Sequence, residues 1–303
     1  MSSTEKQQLI QSYNRISNWR GFVDLALHWG AIVLVFYAVY STQSILVALL
    51  AILIIAGLQN SLASLGHETF HYKVFTSRKL NSVIGGFFYS YPLGVPYQNY
   101  RKRHLEHHRS VGTRIDPDWE NYQGRHYEAA SSVYRYFLGK LFGLYIFGSI
   151  YALLSPKHSP AVQEAQEDNA AQEVVYLVLT QLVLLALISV FFSWWMYVVF
   201  WLFPLFTLTS TLIGVRAYLE HNDPDEESGA DVRLFDYNPN WLEHFLISPC
   251  HFHLHAIHHA FPAVPHYRLA ALKRELAEKD IAYPCQDRPG YIQCFFLQVK
   301  KLQ

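Results

Sequence analysis

Residues 21–66 read GFVDLALHWGAIVLVFYAVYSTQSILVALLAILIIAGLQNSLASLG and contain no lysine or arginine. A second stretch free of basic residues runs from Val174 to Val215. Each exceeds 40 residues, enough for two membrane spans of about 20 residues joined by a tight turn. The spans fall at 22–41 and 44–65, then at 174–192 and 196–215. Ser41, Thr42 and Gln43 join the first pair, and Ser193, Trp194 and Trp195 join the second. Tryptophans in such positions favour the membrane–water boundary. The expected fold is an all-α integral membrane protein with four transmembrane helices in two hairpins.

Outside the spans, all 24 lysines and arginines lie in the N-terminal tail, in 66–173 or in the C-terminal segment. If both hairpins enter and leave from one side, the positive-inside rule makes that side the cytoplasm. Segments 66–173 and 216–303 then form a helical cytoplasmic cap, with both termini on the same face of a plasma membrane, or of a bacterial inner membrane. The first 20 residues are polar and lack a short apolar core, so no cleaved signal peptide is expected. Charged residues make up 16% of the chain, against roughly 25% in soluble domains, which excludes disorder. Acidic and basic residues both number 24, which leaves no basic excess for nucleic acid, and none is expected as a partner. Three cysteines, Cys250, Cys285 and Cys294, are too few for a disulfide framework and indicate a reducing compartment.

Two further apolar stretches are too short or too broken to span. Residues 80–97 are interrupted by Gly85, Gly86, Pro92, Gly94 and Pro96, and residues 141–154 follow Arg135 and Lys140. Both are expected to lie on the cytoplasmic face or to dip into it. The polar run 155–172 reads as a linker, and the stretch from His221 to Pro239, rich in Asp, Asn, Gly and Pro, reads as a loop.

Histidine is the chemical outlier, with 16 in the chain. All but His28 fall on the inferred cytoplasmic side. His67 and His71 form H-x-x-x-H directly after the second span. His104, His107 and His108 form H-x-x-H-H, and His255, His258 and His259 repeat it. His221 stands at the cytoplasmic end of the fourth span. Residues three or four apart share a helix face, so H-x-x-x-H is expected to offer two imidazoles to one point and H-x-x-H-H three. Neutral imidazole suits iron, zinc and copper. Two H-x-x-H-H motifs arise by chance in roughly one chain in a thousand of this histidine content.

Nine such histidines exceed what one tetrahedral ion takes, and two ions with four or five imidazoles each fit the count. Iron, which can activate O2 toward an unactivated C–H bond, is the metal whose chemistry needs such a centre. Among the remaining histidines, His28 reads as a satisfied polar pair with Asp24, four residues before it. His126, His158, His244 and His266 read as surface or structural. His251 and His253, just ahead of the last cluster, read as ligands or as groups that orient ligands.

These motifs resemble the membrane fatty acid desaturases and their hydroxylase relatives, a superfamily of integral-membrane enzymes with three histidine boxes. The resemblance rests on HETFHYKVFTSRKLNSVIG, YRKRHLEHHRSVGTRIDPD, RAYLEHN and WLEHFLISPCHFHLHAIHHAFPAVPHYRL, and covers about residues 44–270. It implies a single desaturase-like domain over 1–303. Carried over, the ligands of two iron ions are His67, His71, His104, His107, His108, His221, His255, His258 and His259. Glu68, Glu106 and Glu220 would orient imidazoles, and Asp116 and Asp118 would contact a ligand histidine or the substrate head group. Where relatives often carry Asn ahead of the third box, this chain has His251, with His253 two residues on.

The resemblance implies an O2-dependent oxidoreductase that inserts a double bond into an acyl chain held by a membrane lipid or another carrier. Hydroxylase, ketolase and oxidative decarboxylase share the boxes, and some relatives act on small polar molecules. The chain carries no His-Pro-Gly-Gly haem signature and no cysteine-rich cluster site, so a separate donor of ferredoxin, rubredoxin or cytochrome type is expected. Two rival readings remain. HETFH also matches the H-E-x-x-H zinc peptidase motif with Glu68 as base. That reading lacks an Asp-Gly partner and leaves the other histidine clusters unexplained. A metal transporter would place ligands near the bilayer midplane, where only His28 lies within a span.

Overall fold

The computed structural model describes residues 3–123, 128–145, 170–221 and 234–303. Among the described residues, four helices are long and apolar enough to cross a membrane, and the chain is a membrane protein. After a short amphipathic helix α1 (Ser3–Tyr13) they are α2 (Asn18–Thr42) and α3 (Ile45–Phe70), later joined by α8 (Ala170–Phe191) and α9 (Trp194–His221). Each hairpin closes through a two-residue joint. Gln43 ends α2 in the left-handed region, φ 50°, its N–H donating to the Val39 carbonyl. Ser193 begins the second turn from an extended conformation. Trp194 and Trp195, expected in the joint, already belong to α9.

Two extents differ from expectation for local reasons. α3 does not stop at Leu65 but continues through the first histidine motif, so His67 and Glu68 ride on a membrane helix. α9 likewise runs on to His221. It is widened into π turns at Val198–Leu202 and Leu205–Thr209, on either side of Pro204. A proline inside a helix has no N–H to donate and crowds the preceding turn, and such bulges absorb that conflict.

Between the hairpins lie α4 (Arg78–Ile84), α5 (Tyr97–Ser110), α6 (Glu120–Gln123) and α7 (Ala130–Leu141). After α9 come α10 (Trp241–Leu246), α11 (His255–Ala260), α12 (His266–Glu278) and α13 (Tyr291–Lys301). The described residues are all-α apart from β1 (Phe235–Tyr237) and β2 (Gln286–Arg288), which pair in parallel with Asp236 opposite Asp287. β1 falls in the stretch expected to be a loop; residues 222–233 of that stretch lie outside the described residues. So do residues 146–154 of the second short apolar stretch, residues 155–169 of the linker, His126 and His158.

The 80–97 segment dips deep into the bundle. Residues Gly85–Ser90 form a π-helical turn and Tyr91–Leu93 a 3-10 turn, with Gly85 packed so closely on Thr69 and Tyr97 that a Cβ would not fit. Irregular backbone at such depth must find donors within the protein. Gln181, at the middle of α8, donates to the Tyr91 carbonyl at 2.7 Å and to the Pro92 carbonyl at 3.0 Å. Trp201 Nε1 donates to the Pro92 carbonyl at 3.1 Å, and Trp29 Nε1, at the middle of α2, to the Phe88 carbonyl at 3.1 Å. The buried Glu173 carboxylate accepts from Tyr91 Oη at 2.8 Å and from the Gln98 N–H at 2.9 Å. This bracing sets the start of α5, which carries the second histidine motif.

Buried polar groups also tie α3 to α9 and to the third motif. Asn60 Nδ2 donates to the carbonyls of Leu246 and Ile247 at 2.7 and 2.9 Å. Arg216 donates to Asn60 Oδ1 and Ser64 Oγ, both at 3.2 Å, and stacks 3.6 Å from the Phe252 ring centre. The apolar core proper fills the space between α2, α3, α8 and α9, with Leu62, Phe75 and Trp201 fully enclosed.

Candidate metal centre

Helix geometry decides which imidazoles meet. On α3, His67 lies in the last turn and His71 caps it. On α5, positions 104 and 108 face one way and 107 another, because residues four apart lie about 40° apart round the axis and residues three apart about 60° the other way. On α11 the same rule groups His255 with His259 and turns His258 aside. The nine histidines therefore meet as two sets. His67, His71, His104, His108 and His258 form one, and His107, His221, His255 and His259 the other. Within each set, one ring nitrogen from every residue lies within 4.8 Å of the others. An H-x-x-H-H motif does not aim three imidazoles at one point. It gives its outer pair to one set and its middle member to the other.

Several ring nitrogens stand at hydrogen-bond distance, which is also the spacing of two donors on one ion. His71 Nε2 and His104 Nε2 are 2.8 Å apart, His108 Nε2 and His104 Nε2 3.0 Å, and His258 Nε2 and His108 Nε2 3.3 Å. In the second set His255 Nε2 and His221 Nε2 are 2.9 Å apart. Two nitrogens bound at about 2.1 Å to one ion and at right angles would be about 3 Å apart. Several other ring nitrogens, including both of His67 and of His259, are buried without a hydrogen-bond partner, a costly arrangement unless an ion completes it. Burial, then the neighbouring imidazoles, hold His104, His108, His255 and His259 well below the ordinary value of 6.5. His71 and His258 are lowered by burial in the same way. These rings are neutral at physiological pH, the form that binds metal. The residues fit a two-ion centre with all-nitrogen donors.

The acidic residues divide. Asp116, in the turn after α5, accepts from His107 Nδ1 at 2.9 Å, from Tyr122 Oη at 2.5 Å and from the Asp118 N–H at 2.8 Å. Burial would raise its carboxyl, but the hydrogen bonds from His107 and Tyr122 hold it below the usual value. This contact fixes the His107 ring so that Nε2 faces the second set. Asp118 instead pairs with Arg103 at 2.6 Å, its other oxygen 3.9 Å from His107 Nδ1. Glu68 accepts the His266 N–H at 3.0 Å and lies 3.7 Å from His67 Nδ1 and 4.0 Å from His258 Nδ1. Glu220 lies 3.8 Å from His255 Nε2 and 3.6 Å from Arg216. Glu106 is not brought to the imidazoles. It sits on the outer face of α5, half exposed and paired with Arg109 at 3.2 Å.

The remaining histidines stand apart. His28 Nδ1 meets the Asp24 backbone carbonyl at 2.6 Å rather than its carboxylate, which instead lies 3.8 Å from His266 Nε2. His251 and His253 join neither set, but meet His244.

One positioning residue has no local signature. Leu254 precedes α11 and cannot cap it. The fully buried Asp236 does so from β1, accepting from the N–H groups of Ala256 at 2.7 Å and Ile257 at 3.3 Å. Lys273 on α12 holds its other oxygen at 2.7 Å. The nearest hint in the sequence is an aspartate between two aromatics in a stretch otherwise typical of loops.

A family model described as fatty acid desaturase matches residues 43–288, which takes in all nine of these histidines. Among curated proteins no match is found.

Proposed function

The chain belongs to the fatty acid desaturase family, and we propose that it is a di-iron membrane oxidoreductase that introduces a C=C bond into an acyl chain. Membership supports chemistry of the desaturase or hydroxylase type; the convergence of five and four imidazoles carries the finer reading. Zinc in a structural role takes four ligands in a closed tetrahedron, commonly with thiolates. Here the sets hold only imidazole nitrogen donors, which suit iron with coordination left open for O2.

The first set would hold one iron and the second the other, and bound iron supplies the redox chemistry with O2 that an unactivated C–H bond demands. The overall balance is one acyl CH2–CH2 unit, O2, two electrons and two protons giving CH=CH and two waters. The protein's own contribution is to orient and to enclose. Asp116 sets the His107 ring. Glu68 links the helix of the first box to the residue that starts α12. Phe252 packs against His67 and His255, and Arg216 lies over its ring. Positioning to a fraction of an ångström decides which methylene reacts.

The substrate in this reading is a lipid or other acyl compound of the membrane, and the electrons come from a separate ferredoxin, rubredoxin or cytochrome. Both termini and the histidine centre face the cytoplasm, where the positive-inside rule puts the basic segments. The peptidase reading needs Glu68 as a free base, whereas its carboxylate is engaged by the His266 N–H.

The deciding experiment is elemental analysis of the detergent-purified protein, followed by turnover with a reducing system and an acyl substrate. About two irons per chain and a product short of two hydrogens support the proposal. A product that has gained one oxygen makes the protein a hydroxylase. About one zinc and no iron, even after iron supplementation, overturns the centre.

A further inference from the structure

We propose that His244, His251 and His253 form a third, mononuclear metal site, separate from the two sets of the centre and suited to a borderline divalent ion such as zinc. One ring nitrogen from each lies within 4.8 Å of the other two. The rings pack with centroids 5.1 Å apart for His244 and His253, and 6.0 Å for the other two pairs. Nitrogens sharing a tetrahedral ion at about 2.1 Å lie about 3.4 Å apart, so pairs that are within 4.8 Å of one another close by up to about 1.4 Å through side-chain rotation.

Each imidazole is fixed by a different part of the scaffold, as a preformed site requires. His244 rides on α10, whose start is closed by a reciprocal pair. Asn240 accepts from the N–H groups of Leu242 and Glu243, while Glu243 accepts from the Asn240 N–H at 3.0 Å. Glu243 also accepts the Ile292 N–H at 2.8 Å, tying α10 to α13. The backbone of His253 is held by the Tyr237 N–H, which donates to its carbonyl at 2.9 Å.

His251 follows Cys250, and both occupy the left-handed region, with φ 59° and 54°. That conformation is uncommon outside glycine; asparagine, aspartate and histidine enter it most readily. Two consecutive residues held there store strain that the surrounding structure must offset. In return the turn aims the His251 ring at its two partners.

Two observations point to a ligand. His253 Nδ1 is buried with no hydrogen-bond partner, an atom that an ion would satisfy. His244 and His253 also line a cleft of about 480 Å3 with Tyr237, Asn238 and Trp241. Three imidazoles beside an open cleft match the donor set in which zinc keeps a fourth position for water or a small oxygen donor. No carboxylate belongs to the triad, so the bound site carries the full charge of the ion and favours anionic occupants of that fourth position.

The test uses the full-length, iron-loaded protein in detergent, titrated with zinc alone while iron content is followed in the same samples. Wild type is expected to take up one zinc beyond its iron. His251→Asn keeps a residue that tolerates the left-handed turn but removes the ligand. It should weaken that zinc at least about 100-fold with iron unchanged. The double variant His244→Ala, His253→Ala should behave alike. Cobalt in place of zinc should give visible d–d absorption that is lost in both variants. Failure of wild type to bind an ion beyond its iron overturns the proposal, as does wild-type affinity in H251N. Loss of iron together with zinc in H251N would assign His251 to the two-ion centre and overturn a separate site. Should the protein hold no iron at all, a difference of one zinc between wild type and H251N still supports this site while the proposed oxidoreductase fails.

Discussion

The first and third histidine motifs reach the same centre by opposite means. His67 sits on α3, a helix of 26 residues held along its length by the membrane bundle. His255, His258 and His259 sit on α11, a helix of six residues, too short to be stable alone. Its place is fixed by Asp236 at its first turn, by Lys273 behind Asp236, and by Glu68 at the start of α12. One motif inherits its position from chain continuity, the other from hydrogen bonds to remote residues. Removing an imidazole should therefore cost the same on either helix, whereas removing a support should be felt at α11.

The largest effect tests the shared part of that comparison. His67→Ala and His258→Ala take one donor each from the five-imidazole set. Both should abolish turnover and lower bound iron, read by elemental analysis. Iron and activity retained in either variant would break the grouping.

Acid comes next, because it acts on both helices together. The folded apoprotein holds His71, His104, His108, His255, His258 and His259 well below 6.5, while the unfolded chain protonates them near that value. The unfolded state thus binds more protons as pH falls below 6.5. Stability present above that value drains away by up to about 1.4 kcal/mol per pH unit for each such ring. Thermal melting of metal-stripped protein between pH 7.5 and 5.5 should show a steep decline, and a flat profile would contradict the buried neutral cluster.

Asp236→Ala separates the two motifs. It strips two N–H groups of their acceptor and leaves Lys273 with Asp287 alone, a loss of about 2 kcal/mol visible as a lower melting temperature. Iron loading should fall with it, whereas the α2–α3 hairpin should keep its protection from hydrogen exchange. Asp116→Asn is milder and sharper, loosening the His107 ring without emptying the fold. Metal affinity should drop about 10-fold to 100-fold, with melting little changed. Glu106→Gln should do almost nothing, within about 0.5 kcal/mol and with full iron. A large effect there would mean that its carboxylate reaches the imidazoles after all.

The same contrast explains what the sequence could and could not convey. The four membrane helices were legible because charge depletion and length are local properties. The histidine motifs were legible because three- and four-residue spacings repeat within one helix. Their partition into two sets was not, because it depends on which faces of α5 and α11 turn toward α3 and α9. Asp236 was invisible for a related reason: its acceptor role is for a helix about 20 residues later, whose own flanking residue, Leu254, gives no sign of needing one. The dip of residues 85–93 was foreshadowed by glycines and prolines, but not its depth, which rests on Gln181 and Trp201 in helices still to come.

That last dependence carries a consequence for biosynthesis. The carbonyls of Tyr91 and Pro92 receive their donor from Gln181, 90 and 89 residues downstream. At about 5–20 residues per second, a nascent chain waits roughly 5 to 20 seconds between making the acceptors and making the donor. Until then the Tyr91 and Pro92 carbonyls lack their buried donors, Gln181 and Trp201, and must remain in water or at the headgroup layer while the first hairpin is already in the bilayer. The second hairpin is thus what draws the segment inward, and the two histidine sets come together only once α9 and then α11 have been made.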